Sequence, residues 1–87
     1  MDDQEFVVRM KEKIQRLTGK EVELVLGGPE DEQVSVDLGG PIPKVVVTPL
    51  VLKAPGLARM SIEYAVASIK KGEEVSPLEF YMILRRN

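Results

Sequence analysis

The chain has 87 residues, of which 44% are apolar and 30% charged, and its formal net charge is −2. A chain of this length buries only about 60% of its unfolded surface, so it suits one small domain spanning residues 1–87, with no second core. It contains neither cysteine nor histidine, which excludes disulfides, thiolate metal sites, iron–sulfur clusters and Cys-His or Ser-His-Asp catalysis, and removes the usual general base near neutral pH.

Charge is unevenly spread. Residues 1–43 hold five Lys/Arg and ten Asp/Glu, whereas residues 44–87 hold seven and four, so the halves are expected to attract when they pack or to offer opposite faces to a partner. The opening MDDQEF is acidic where a signal peptide would be basic and then apolar, and no apolar run approaches the roughly 18 residues of a membrane span. The expected compartment is the cytoplasm, with no membrane association.

In chain order, Asp2 or Asp3 can cap a helix over about 3–18, and Asp2 with Glu5 fits a capping box whose carboxylates suit its positive end. Phe6, Met10, Ile14 and Leu17 recur at helical spacing and form the expected buried stripe, widened by Val7, while Glu5/Arg9 and Glu12/Arg16 make a solvated face. Gly19 follows as a left-handed stop. The period then changes to two. Val22, Leu24 and Leu26 alternate with polar or acidic neighbours, as do Val34, Val36 and Leu38, which predicts strands over about 20–26 and 33–38. Residues 27–32, GGPEDE, read as a hairpin loop pairing these two strands antiparallel. A second break, GGPIP at 39–43, leads into a valine-rich third strand over about 44–52. This predicts a three-stranded antiparallel meander with Val45 and Val47 on its inner face, and with Glu21, Glu23, Gln33, Ser35, Asp37, Lys44, Val46 and Thr48 on the outer one.

Pro49 lies inside the third run and, giving no ladder donor, marks an edge strand or a bulge there. Pro55 sits at a natural first helical position, and Ala58, Ile62, Ala65, Val66 and Ile69 form the stripe of a helix over about 55–71. Leu57, Ser61, Tyr64 and Ser68 lie on the neighbouring face, and Lys70, Lys71 and Gly72 give the cationic last turn and the stop. Ser76-Pro77-Leu78-Glu79 caps a final helix over about 77–85. Its five successive apolar residues, Phe80 to Leu84, leave it no polar side, so it is expected to wedge between elements or to help form an interface. The predicted architecture is α+β, a two-layer sandwich in the order α-β-β-β-α-α with the helices on one face of the sheet.

The residues offer little chemistry. Ser61, Ser68 and Ser76 stand near Lys70 and Lys71 in sequence, but helix surface and helix cap account for Ser68 and Ser76. Glu30-Asp31-Glu32 lacks the alternating ligand spacing and central glycine of a calcium loop, and the Gly-Gly pairs precede no helix, so no metal or cofactor is expected. Lys53, Gly56 and Arg59 cluster at the opening of the second helix and form a candidate anion site. The order helix, three antiparallel strands, helix is similar to that of double-stranded RNA-binding domains, which implies a nucleic-acid-binding module as the alternative function. That likeness is in topology only. Those domains open their second helix with a lysine cluster, where this chain has Gly56-Leu57-Ala58-Arg59-Met60-Ser61. Net acidity and the acidic sheet face also argue against a nucleic-acid partner.

The preferred expectation is a non-enzymatic protein-interaction or regulatory module whose partner is another protein or a second copy in a homodimer. Two stretches are candidate interaction surfaces: Leu50, Val51 and Leu52 beside Pro49, for which burial under the first helix is the competing expectation, and Phe80, Tyr81 and Met82 in the last helix.

Overall fold

The computed structural model describes residues 2–28, 30 and 33–86. The chain is α+β: helix α1 (Asp3–Thr18), strands β1 (Glu23–Leu26), β2 (Ser35–Asp37) and β3 (Lys44–Val47), a single 3₁₀ turn (Pro49–Leu52), and helices α2 (Pro55–Lys71) and α3 (Pro77–Arg86). The helix boundaries follow their local signals. Asp2 Oδ1 accepts the Glu5 backbone N–H at 2.7 Å, and Gly19 and Gly72, the residues just after α1 and α2, have φ of 71° and 89°. Both glycines take the left-handed conformation that lets their N–H reach back to a carbonyl of the last turn, those of Gln15 and Ser68.

The sheet is not the expected meander. Its strand order is β1-β3-β2, with β1 parallel and β2 antiparallel to β3. The run KVVV of β3 is the most apolar of the three strands, and the central position buries it from both edges: Val45 and Val47 have no exposed surface. Glu23 donates to the Pro43 carbonyl and Gly27 to the Val47 carbonyl, each at 2.8 Å, fastening β1 along the same strand that β2 pairs from the other side. The sequence predicts a hairpin loop at residues 27–32. Residues 29, 31 and 32 of that stretch lie outside the described residues, but with β3 between them the end of β1 and the start of β2 stand two inter-strand spacings, about 10 Å, apart. A loop of that length does not force its two strands to be neighbours, as a two-residue turn would.

The strands are also shorter than their apolar runs, and 44–52 is not one strand. It ends at Val47, and Pro49 starts the 3₁₀ turn, in which Thr48 Oγ1 accepts the Leu50 N–H at 3.3 Å. Thr48, expected on the outer face, is buried because it caps this turn.

The sides of the sheet otherwise match the alternation. Leu24, Val45 and Val36 stand side by side across the three strands and are buried. The row Glu23–Lys44–Asp37 on the opposite side is exposed and sets a cation between two carboxylates. Helices α1 and α2 bring Met10, Ile14, Ala58, Ile62, Ala65 and Ile69 to the apolar side, and these join the strand residues in one core. Leu17, expected in the α1 stripe, is exposed, because at the last turn of α1 it borders an open groove with Glu63, Val66 and Ala67 of α2 and not the closed core. Among the described residues no helix is long and apolar enough to cross a membrane.

Two outcomes follow from this distribution. Ile14→Ala should cost about 3 kcal/mol in urea denaturation, whereas Leu17→Ala should cost less than about 1 kcal/mol, although both belong to one apparent stripe in the sequence. Because α3 contains no buried residue while α2 contains six, hydrogen exchange followed by NMR should show the α3 amides exchanging faster than those of Ile62, Ala65 and Ile69.

Candidate interaction surface

Gly72 ends α2, and residues 73–76 lead into α3. This link is held by side chains more than by ladders. The Val75 N–H donates to Ser68 Oγ at 3.2 Å, and the Tyr64 hydroxyl donates to the Val75 carbonyl at 3.1 Å. Val75 itself is buried, and Glu74 Oε2 accepts the Val36 N–H of β2 at 2.8 Å. In antiparallel pairing with β3, Ser35 and Asp37 address the partner strand, so the Val36 N–H points outward, and the Glu74 carboxylate closes that edge of the sheet. Ser68, read from the sequence as helix surface, is therefore buried as an acceptor for the link. Ser76 is the cap it was read to be, accepting the Glu79 N–H at 3.1 Å.

On this fastening α3 crosses α2. The Phe80 ring meets the Tyr64 ring edge-on, 5.2 Å between centroids with an 87° interplanar angle, a favoured aromatic geometry. Lys71 is paired with both Glu79 and Glu73, and the Glu79 carboxylate holds the Lys71 ammonium above its ordinary value. Further along, Ile83 closes one side of a groove formed by Leu17, Glu63, Val66, Ala67 and Lys70.

Phe80, Ile83 and Leu84 are half-buried, while Leu78, Tyr81 and Met82 are 72%, 53% and 48% exposed. The exposed three, with Arg85 and Arg86, occupy the side of the helix turned away from α2. Arg85 lies over the Tyr81 ring, 5.9 Å from its centroid. The sequence predicts burial on both flanks or an interface; α3 has one covered side and one exposed apolar side. Beside it runs an open groove of about 280 Å³ lined by Val34, Leu57, Met60, Tyr64, Pro77 and Phe80, among others. This continues, through Gln33, Val34, Tyr64 and Pro77, into a wider and more polar trough of about 660 Å³ that Glu30 and Glu74 also line.

The other candidate stretch is divided. Val51 is core, 1% exposed, and Leu52 packs half-buried against it, which leaves Leu50, 55% exposed, as the residue a partner can reach. The contacts of α3 through Phe80, Glu79 and Ile83 involve no residue of the 3₁₀ turn.

Of the candidate anion site, Lys53 is exposed and its N–H returns to the Leu50 carbonyl. Gly56 is exposed with open space about it, and Arg59 lies 3.6 Å from Glu63. Arg59 shares a groove of about 310 Å³ between α1 and α2 with Arg9 and Lys13 over apolar walls. Arg9 is in turn paired with Glu5 at 3.3 Å, so two of the three cations already have carboxylate partners. Of the run Glu30-Asp31-Glu32, Asp31 and Glu32 lie outside the described residues.

Sequence reasoning missed Leu78, Met60, Glu74 and Val75. A helical wheel of 77–86 carried the signal for Leu78, because it shares a side with Met82 and Arg85 at i, i+4 and i+7. Val75, the lone apolar residue between Gly72 and Pro77, was equally visible as an anchor.

Burial, and then the Glu74 carboxylate beside it, push the Tyr64 phenol up to about 12 from 10.0. A phenol whose pKa is raised by folding contributes stability that is fully present below pH 10 and is lost as pH rises from 10 toward 12. Spectrophotometric titration of tyrosinate should show a late component near pH 12, accompanied by weakening of the fold over that interval. In Tyr64→Phe both should vanish.

No family model matches the chain, and no curated protein or solved structure matches it significantly.

Proposed function

We propose that this chain is a non-enzymatic protein-interaction module that docks its partner on the outward side of α3. The observation that carries this reading is the placement of Leu78, Tyr81 and Met82, three large apolar side chains about half-exposed or more on a single helix side. Water-facing apolar residues scattered singly need no explanation, but a stripe of them on one short helix, next to a groove walled by Leu57, Met60 and Phe80, is the composition of an interface core. Tyrosine, arginine and methionine are the residue types enriched there, and Tyr81, Arg85 and Met82 supply all three. The absence of histidine and cysteine from the sequence supports a binding role over catalysis.

A nucleic-acid-binding role has less support. The first turns of α2 offer Arg59, which is paired with Glu63, and the mixed sheet departs from the all-antiparallel topology on which the likeness to double-stranded RNA-binding domains rested.

The reading is tested by placing a photo-crosslinking amino acid at position 82, or at position 23 on the opposite, exposed side of the sheet, in the full chain expressed in cells. Position 82 should give a protein adduct, with this chain or another, that position 23 does not. Equal or absent crosslinking at the two positions would overturn it.

A further inference from the structure

We infer that the partner on the outward side of α3 is a second copy of this chain, bound with the two α3 helices antiparallel across a two-fold axis. This rests on the interaction reading above and goes further by naming the occupant. The argument is charge order along one short element. Around the N-terminal end of α3 stand four carboxylates: Glu73 and Glu79, both held by Lys71, and Glu74 and Glu30, which line the trough that Pro77 closes. At its other end stand Arg85 and Arg86, exposed and, among the described residues, in no ion pair. Between the two ends lies the apolar stripe of Leu78, Tyr81 and Met82. An acidic end, an apolar middle and a basic end make a surface whose complement is the same surface reversed.

A ten-residue helix is about 15 Å long. When two copies lie antiparallel with their centres at Tyr81 and Met82, each Arg85–Arg86 end comes over the other copy's carboxylate end. Tyr81 then meets the partner's Met82, and Leu78 meets the aliphatic stem of the partner's Arg85. Two-fold symmetry makes every such contact twice, and the antiparallel arrangement also opposes the helix dipoles favourably. Met60 and Leu57, on the groove beside α3, extend the apolar contact. A face of this length lies at the small end of specific interfaces, so the dimer is weak and in exchange with monomer.

Sedimentation equilibrium on the purified chain, from about 10 μM to about 1 mM, reads the association directly. The wild type should dimerise with concentration, and 0.5 M salt should weaken the dimer, because the end contacts lie at the solvent-exposed rim. Arg85→Glu with Arg86→Glu should raise the dimer dissociation constant tenfold or more, as should Glu30→Lys with Glu73→Lys, since each pair brings like charges together at both ends. Mixing the two double variants should restore association as a heterodimer, in which both ends are again complementary. Impaired folding would not produce that rescue. Circular dichroism of each variant alone should match the wild type. A chain that stays monomeric throughout, or a dimer indifferent to both reversals, overturns the assignment. If the chain is monomeric but position 82 still crosslinks to a different protein in cells, the second-copy assignment fails while the interaction reading stands. If position 82 crosslinks to nothing, both fail.

Discussion

Strand β3 occupies the middle of the sheet, and the positions of the other elements follow from that placement. A three-stranded sheet has one site where both edges are paired, and a strand of four residues containing three valines, Val45 to Val47, gains most from it. Once β3 is there, β1 and β2 become edges. Each edge is then closed by a side chain reaching from a helix or its flank. Gln15 of α1 accepts the Val22 N–H just before β1 at 3.0 Å, and Glu74 accepts that of Val36 on β2. These two bonds tie the start of the chain to one margin of the sheet and the approach to α3 to the other.

The second of those ties sets up the surface. Glu74, Tyr64 and Ser68 hold the short segment between α2 and α3 by polar contacts around the single buried apolar residue Val75, so α3 is positioned without being buried. A helix held this way sits where Phe80 can stack on Tyr64 while Leu78, Tyr81 and Met82 look outward. Had the link been fastened by apolar contacts alone, burying them would have drawn α3 further onto α2 and covered more of its length. The polar clasp fixes direction at little cost in exposed surface.

The sequence made the helices legible because their ends carry local chemistry. Asp2, Gly19, Gly72 and Ser76 act through bonds to residues within a few positions, and Pro55 through its fixed φ at the first helical position. The sides of the strands were legible too, since a period of two survives any change of neighbour. Strand order was not. Nothing in KVVV states whether Glu23–Leu26 lies beside it or one strand away, and the decision is made by total burial once α1 and α2 are in place. Thr48 was misread for a related reason. Alternation assigns a face only while the strand continues, and Pro49 had already ended it. The candidate stretch at 50–52 suffered the same way, because a 3₁₀ turn points its three residues in three directions and gives one of them, Val51, to the core.

What remains is the surplus of apolar residues in α3. The helix has six large apolar side chains in ten positions, from Leu78 to Leu84, which is more than one side of a helix can present. A two-layer fold offers such a helix one neighbour, here α2, and so one covered side. The surplus was visible in the sequence as a helix with no polar side, and the fold decides which residues bear it: Phe80, Ile83 and Leu84 inward, Leu78, Tyr81 and Met82 outward. Leaving a contiguous apolar stripe in water forgoes burial that an 87-residue chain, with a small core and no disulfide, has little to spare. A sequence selected for stability alone would place lysine or glutamate at 78 and 82. Leucine and methionine stand there instead, with arginines at one end and carboxylates at the other, and that pattern is the physical support for the proposal that this side of the helix meets a partner.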